Sequence, residues 1–273
     1  MSDKFVFRGQ IHDPPRSSWF GGVILISIIT ALAVAQSRVG SLNTWEVRAT
    51  ILMLPLAIAS KSIYTIHLNL FVIFYFLMGL FPHFSNNPFN YLTPLILYAY
   101  AVVLIPVLRG AVGWLRVGQF DAKIWMLLVA IIVVSGVALT AWVHESSPDL
   151  SRYSRLLPKL PLWPTLVYGL AFSAFNAARE EIIWRGIMME ALDSAFGAGI
   201  LSEVIQALSF GVAHYQSGFP NGIEGSSMAF AYGLMLGTIR RKSRGMLACW
   251  IAHVAADSTI FYLILSFTHA SVK

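Results

Sequence analysis

Long apolar runs separated by short polar breaks dominate this chain. Trp19 to Gln36 is the first run, followed by Thr50 to Ser60, Ile63 to Phe81, Tyr91 to Leu108 and Ile124 to Val143. A polar, proline-rich interval covers His144 to Pro164. Four more runs follow: Leu166 to about Asp193, about Ile200 to Tyr215, Ser226 to Arg240 and about Met246 to Phe267. A hydrocarbon core about 30 Å thick takes about 20 residues of helix to cross. Backbone N–H and C=O groups in hydrocarbon must pair within their own segment, so such runs predict helices. The pattern therefore predicts an all-α fold, a polytopic transmembrane helical bundle of eight or nine spans. The count hinges on Thr50 to Ser60, a half-helix, an interfacial helix or a true span, with Lys61 and Ser62 interrupting before the next run.

The breaks carry the topology. His144 to Pro164 holds Glu145, Asp149, Arg152, Arg155 and Lys159 and is the best internal boundary. It divides membrane-embedded accessory helices (1–160) from a four-helix C-terminal core (161–273). His83 to Asn90 is a turn built on Asn86-Asn87-Pro88. The densest positive block, Arg240-Arg241-Lys242-Ser243-Arg244, reads as cytoplasmic. Alternation then puts Gln216 to Gly225 outside and Arg109 to Lys123 inside. The N-terminus is inside if Thr50 to Ser60 spans and outside if it does not. Ala33-Val34-Ala35 has the form of a signal-peptidase site, but the leader before it is long and holds acids and prolines, so an uncleaved anchor is expected.

Composition agrees with a membrane protein. Apolar residues make up 57% of the 273 and charged residues 12%, about half the ~25% usual for soluble domains. The formal net charge of +6 lies in loops. It reads as topology and contact with anionic lipid, not as a nucleic-acid surface. The expected setting is an integral, multi-pass position in the plasma or inner membrane. The single cysteine, Cys249, allows no internal disulfide and reads as a small buried hydrophobe. His67, inside an apolar run, reads as a packing histidine.

Against this background, charge inside the runs is expensive and points to a site. Asn176-Ala177-Ala178-Arg179-Glu180-Glu181-Ile182-Ile183-Trp184-Arg185-Gly186 holds two glutamates and two arginines. Neighbouring helical residues point about 100° apart, so Glu180 and Glu181 cannot share one task. Glu181 and Arg185 are i, i+4 and can pair. Glu180 shares its face with Trp184 and Ile183, a setting for a general base. The alternative is an interfacial charge cluster that orients the helix. Phe210 and His214 lie one turn apart on the next helix, as do His253 and Asp257 on the last. Alone, the first pair also reads as a histidine at the helix end near water, and the second as a buried His–Asp pair serving packing. Together they put polar groups on three helices at depths that can converge near mid-membrane.

This order resembles the CAAX prenyl protease and bacteriocin-processing family of intramembrane endopeptidases. That family carries paired glutamates with arginine four after the second, then Phe-x-x-x-His, then His-x-x-x-Asn or Asp. Here they read Glu180-Glu181-Ile-Ile-Trp-Arg185, Phe210-Gly-Val-Ala-His214 and His253-Val-Ala-Ala-Asp257. The likeness covers about residues 163 to 268. It implies a CAAX-protease-like catalytic core using glutamate, with no cofactor and no catalytic metal. Glu180 with His214 would activate a water, and His253 with Asp257 would stabilise the oxyanion. Glu181, Arg185 and Phe210 would support them. The substrate would be a membrane-associated peptide or protein; the family's prenyl proteases remove the last three residues of a prenylated CAAX protein. Aspartate at 257, where an asparagine would donate to an oxyanion, is expected to orient His253 through the ring's other nitrogen.

Two other readings use the same residues. Glu180, His214 and His253 could form a His/His/Glu metal set, though the chain lacks His-Glu-x-x-His. Buried Glu–His–Asp chains also serve proton-linked carriers, and an immunity factor or scaffold would need no chemistry. The topology places the site nearer the outer leaflet.

Overall fold

The computed structural model describes residues 19–37, 44–79, 92–155, 157–216 and 218–270. The polar segment 1–18 and the turn read over His83 to Asn90 lie outside them. Every regular element among the described residues is helical. In chain order these are α1 (Trp19–Ser37), α2 (Thr44–Ala59), α3 (Ile63–Gly79), α4 (Thr93–Leu104), a 3-10 helix (Pro106–Ala111), α5 (Ala122–Ser146), α6 (Ser151–Ser154), α7 (Leu162–Glu181), a π-helical segment (Ile182–Met188), α8 (Met189–Phe196), α9 (Ile200–Ala213), α10 (Gly222–Ser243) and α11 (Leu247–Ala270).

By length and composition, two described helical stretches can cross a membrane, Ala122–Ser146 and Leu247–Phe267. Only 28% and 33% of their most apolar windows are buried, whereas the core helix of a soluble protein is mostly buried. On α5, Trp125, Met126, Val129, Val133, Val134 and Val137 all face outward. A broad exposed apolar face of this kind suits lipid and not water.

One predicted run is shorter than expected. Tyr91 to Leu108 does not continue as one helix: α4 stops at Leu104 and a 3-10 turn takes over at Pro106. Proline lacks the N–H that an α-helix needs and pushes its predecessor out of the α region, and Ile105 is extended at φ −104°, ψ 99°. Thr50 to Ser60 belongs to a longer helix, α2, which extends back to Thr44 and carries Pro55 within it. His67, on α3, is buried with Nδ1 2.6 Å from the Tyr98 hydroxyl and Nε2 2.8 Å from the Leu108 carbonyl. It ties α3 to α4 and the 3-10 turn, as a packing histidine does.

Local chemistry sets the helix ends. The Asp121 side chain caps α5 by accepting from the Ile124 N–H at 2.8 Å. Arg240, Arg241 and Lys242 crowd the last turn of α10, where cations complement the helix dipole. The run α7–π–α8 ends at Gly197, whose φ of +86° suits glycine.

The core of the fold is the packing of α9 on α10 and of α11 on α7 and α5, with α1 laid across α9 and α8. Backbone pairing joins two polar breaks. Gln119 N–H donates to Ser243 O at 2.7 Å, Met246 N–H to Arg116 O at 2.8 Å and Leu247 N–H to Val117 O at 3.2 Å. The Arg109–Lys123 and Arg240–Arg244 breaks thus meet at one end. At the other end Glu224 accepts from Trp142 Nε1 at 2.9 Å, and the Tyr153 hydroxyl donates to Gly218 O at 2.8 Å.

Candidate active site

The structure brings Glu180, Glu181, Arg185, Phe210, His214, His253 and Asp257 into one cluster. Helix α7 delivers the two glutamates at its end, and the chain passes at once into the π-helical segment that carries Trp184 and Arg185. Single π turns inside α-helices recur at functional sites because the extra residue re-aims the side chains that follow. Glu180, Glu181, Arg185 and His253 are all buried.

The two glutamates have separate partners, as helical phase requires. Glu181 Oε1 accepts from Arg185 Nη1 at 3.1 Å and from His253 Nδ1 at 2.7 Å. Glu180 Oε1 accepts from Arg179 Nη2 at 2.6 Å, while its Oε2 lies 3.6 Å from His253 Nε2. Glu180 also interacts electrostatically with His214. His214 is the C-cap of α9, and its Nδ1 lies 2.9 Å from the Phe210 carbonyl. A carbonyl accepts only, so Nδ1 carries the proton and the neutral ring keeps a lone pair on Nε2.

Phe210 is the hub between these groups. Its ring meets Trp184 at 5.0 Å, His214 at 4.4 Å and His253 at 6.0 Å between centroids, and Arg185 Cζ sits 4.6 Å over it. Helix α10 holds the cluster from behind. The Gly233 carbonyl accepts from Gln206 Nε2 at 2.9 Å and from Arg185 Nη2 at 3.5 Å.

Asp257 does not take the place expected of it. Glu181 occupies His253 Nδ1, and Asp257 Oδ1 stands 3.6 Å from Nε2, the nitrogen that also faces Glu180. The orienting carboxylate on the ring's other nitrogen is therefore Glu181. Asp257 Oδ2 instead accepts from Asn176 Nδ2 at 3.0 Å, and Asn176 Oδ1 accepts from Arg179 Nη2 at 2.9 Å. Asn176 and Arg179, which carry no task in the motif pattern, are thus parts of the cluster. Their i, i+3 spacing put them on one face; their link to Asp257 crosses helices.

An open cleft of about 340 Å³ reaches Glu181. It is lined by the loop residues Trp114 to Val117, by Ala178 and Ile182, and by Met246, Leu247 and Trp250. Arg116 and Val117 pair with Met246 and Leu247, so the cleft lies at the end of the bundle where the two basic breaks meet. Among the described residues, no group of three or more His, Cys, Asp or Glu is placed to hold a metal ion.

Residues 161–259 match the family model described as Rce1-like, type II CAAX prenyl endopeptidase. Over this segment the chain is similar to the CAAX protease family. The segment starts one residue before α7 and ends two residues after Asp257, so it contains the whole cluster, Asn176 and Arg179 included. The match implies a peptidase, and the family is membrane-embedded. Comparison with curated proteins and with solved structures gives no match.

Proposed function

We propose that the protein is an intramembrane endopeptidase that hydrolyses a peptide bond of a membrane-associated protein, with Glu180 and His214 activating the water. The observation that carries this reading is the placement of Glu180. One carboxylate oxygen is held by Arg179, the other lies 3.6 Å from His253 Nε2, and His214 acts on the same carboxylate electrostatically.

The chemistry follows from these partners. A water held between Glu180 and His214 gives one proton to the Glu180 carboxylate. Its oxygen attacks the scissile carbonyl carbon, and the carbonyl π pair moves onto oxygen. Collapse of the tetrahedral intermediate breaks the C–N bond, and the proton on Glu180 passes to the leaving amine. His214 Nε2 orients the water. His253, fixed by Glu181, faces the developing negative charge. Glu181, Arg185 and Phe210 position these groups, and the step needs no cofactor or metal. The partners are the bilayer and a peptide or protein substrate, with a prenylated or C-terminally anchored protein as the first class to test.

The same reading sets the frame around the site. The bundle is multi-pass, with eight or nine spans in the plasma or inner membrane. Residues 1–160 form accessory helices and 161–273 the catalytic core. The basic end of the bundle is cytoplasmic by the excess of Lys and Arg.

Proteomics of protein termini in wild-type and Glu180→Gln cells tests activity and substrate together. New termini present in wild-type cells and absent from the variant, with both proteins folded at equal level, are expected. Identical termini in both would overturn the reading.

A further inference from the structure

Among the buried donors at the site that make no hydrogen bond to the described residues, one hydroxyl stands out. The Tyr232 hydroxyl, on α10, is shielded from solvent and makes no hydrogen bond to them. Its ring stands edge-on to His253, 5.7 Å between centroids at 87°. The carboxylates of Glu181 and Asp257 both act on it electrostatically. Tyr232 is also adjacent in sequence to Gly233, whose carbonyl is fixed by Arg185 and Gln206, so the backbone behind it is held. A buried hydroxyl left without an acceptor costs about 1–3 kcal/mol. Such a group at the edge of a reacting centre is a donor in wait for an acceptor that arrives with the substrate.

The site needs such a donor. An oxyanion is stabilised by hydrogen-bond donors aimed at the place where charge develops. Asp257, when ionised, is an acceptor only, and its Oδ2 is already taken by Asn176. A carboxylate there cannot give the neutral hydrogen bond that an amide would. A phenol can, and it carries no charge of its own at neutral pH.

The geometry assigns Tyr232 as an oxyanion donor: its O–H hydrogen-bonds the tetrahedral oxygen beside His253, supplying the donor that aspartate at 257 does not. No proton is transferred; the hydroxyl keeps its hydrogen through the step. This rests on the endopeptidase reading.

The test uses full-length protein in detergent and a quenched fluorescent peptide spanning a cleavage site that appears in wild-type but not Glu180→Gln cells. Tyr232→Phe removes the hydroxyl and keeps the ring against His253. Its kcat is expected to fall about 10²–10³-fold, the usual loss of one oxyanion donor, with KM little changed. Its unfolding temperature should be equal to or above wild type, since no native hydrogen bond is lost. Adding Asp257→Asn to Tyr232→Phe should restore part of kcat, because an amide can donate. A Tyr232→Phe rate within about twofold of wild type, far short of an oxyanion donor's usual worth, overturns the assignment while leaving the protease reading intact. A lower unfolding temperature in step with the lost rate overturns it in favour of a structural role. Equal cleavage by wild type and Glu180→Gln overturns the protease reading itself, and the assignment falls with it.

Discussion

His253 Nδ1 and Glu181 Oε1 lie 2.7 Å apart, joining the last helix to the end of α7 across 72 positions of sequence. Within single helices, Glu181 pairs with Arg185 and His253 with Asp257, both at i, i+4. The bond that crosses between helices is shorter than either of those contacts, at 3.1 and 3.6 Å. Glu181 therefore has two duties. It neutralises a fully buried guanidinium, and it fixes the face that His253 turns toward Glu180 and Asp257.

Removing Glu181 should damage stability first. Glu181→Ala would leave Arg185 buried without its counter-charge, at a cost of about 3–5 kcal/mol. Glu181→Gln keeps an oxygen acceptor in place and should cost markedly less. Both should lower cleavage, because His253 loses its anchor. Chemical denaturation in detergent, read beside peptide cleavage, checks the order. Equal stability of wild type and Glu181→Ala would show that Arg185 is neutralised by something else.

Asp257 should tolerate asparagine better than alanine. In Asp257→Asn the new amide oxygen could still accept from Asn176, keeping the Arg179–Asn176 chain joined to α11. Alanine would break that chain and leave the Asn176 amide with one acceptor fewer, at about 1–3 kcal/mol if it stays buried. Asp257→Asn is expected to keep measurable cleavage and Asp257→Ala to lose more. Indistinguishable rates in the two variants would remove the carboxylate from the site's working parts.

Much of this was legible in the sequence because the signals are local. The apolar runs located the helices, but the Tyr91 to Leu108 run was read straight through Pro106, where α4 has already ended at Leu104. Spacing of four put Glu181 with Arg185 and Phe210 with His214, and both pairs are in contact. What stayed hidden depends on neighbours far apart in sequence. Tyr232 sits in an apolar stretch and reads as filler; only packing sets its ring against His253. The π-helical segment leaves no mark in residue type, since the same side chains suit an α-helix. The loop around Trp114 looked like a plain connection, yet Gly186 is needed to let it in. A Cβ on Gly186 would stand 2.8 Å from the Trp114 ring.

At the basic end, Arg241 should resist replacement by lysine. Its guanidinium donates to both oxygens of Asp193 at 3.1 Å and to Glu203 Oε1 at 2.7 Å. A lysine keeps the charge but lacks the planar fork that spans two carboxylates. The group is partly exposed, so Arg241→Lys should cost only about 1 kcal/mol, the upper part of the range for surface pairs. The loss should be seen as a lower unfolding temperature with cleavage per folded molecule unchanged. A loss of specific activity with no change in unfolding would place Arg241 in the substrate's path instead.

Gly211 should not tolerate even one added methyl. It lies inside the Phe210–His214 stretch, and a Cβ there would stand 2.8 Å from the Ser226 carbonyl oxygen and 3.0 Å from Phe230 Cβ. The Ser226 hydroxyl also donates to the Gly211 carbonyl at 2.7 Å, so α9 and α10 are locked at this point. The carbonyl oxygen belongs to the backbone and cannot swing aside as a side chain could. Gly211→Ala must therefore push the two helices apart, at about 1–3 kcal/mol for overpacking. The same shift moves Phe210, which touches Trp184, Arg185 and both histidines, so activity should fall further than the stability loss alone explains. The check is cleavage measured well below the variant's unfolding temperature, where nearly all molecules are folded. Wild-type turnover there would mean that α9 and α10 can separate without disturbing His214, and that Phe210 is a packing residue with no hold on the site.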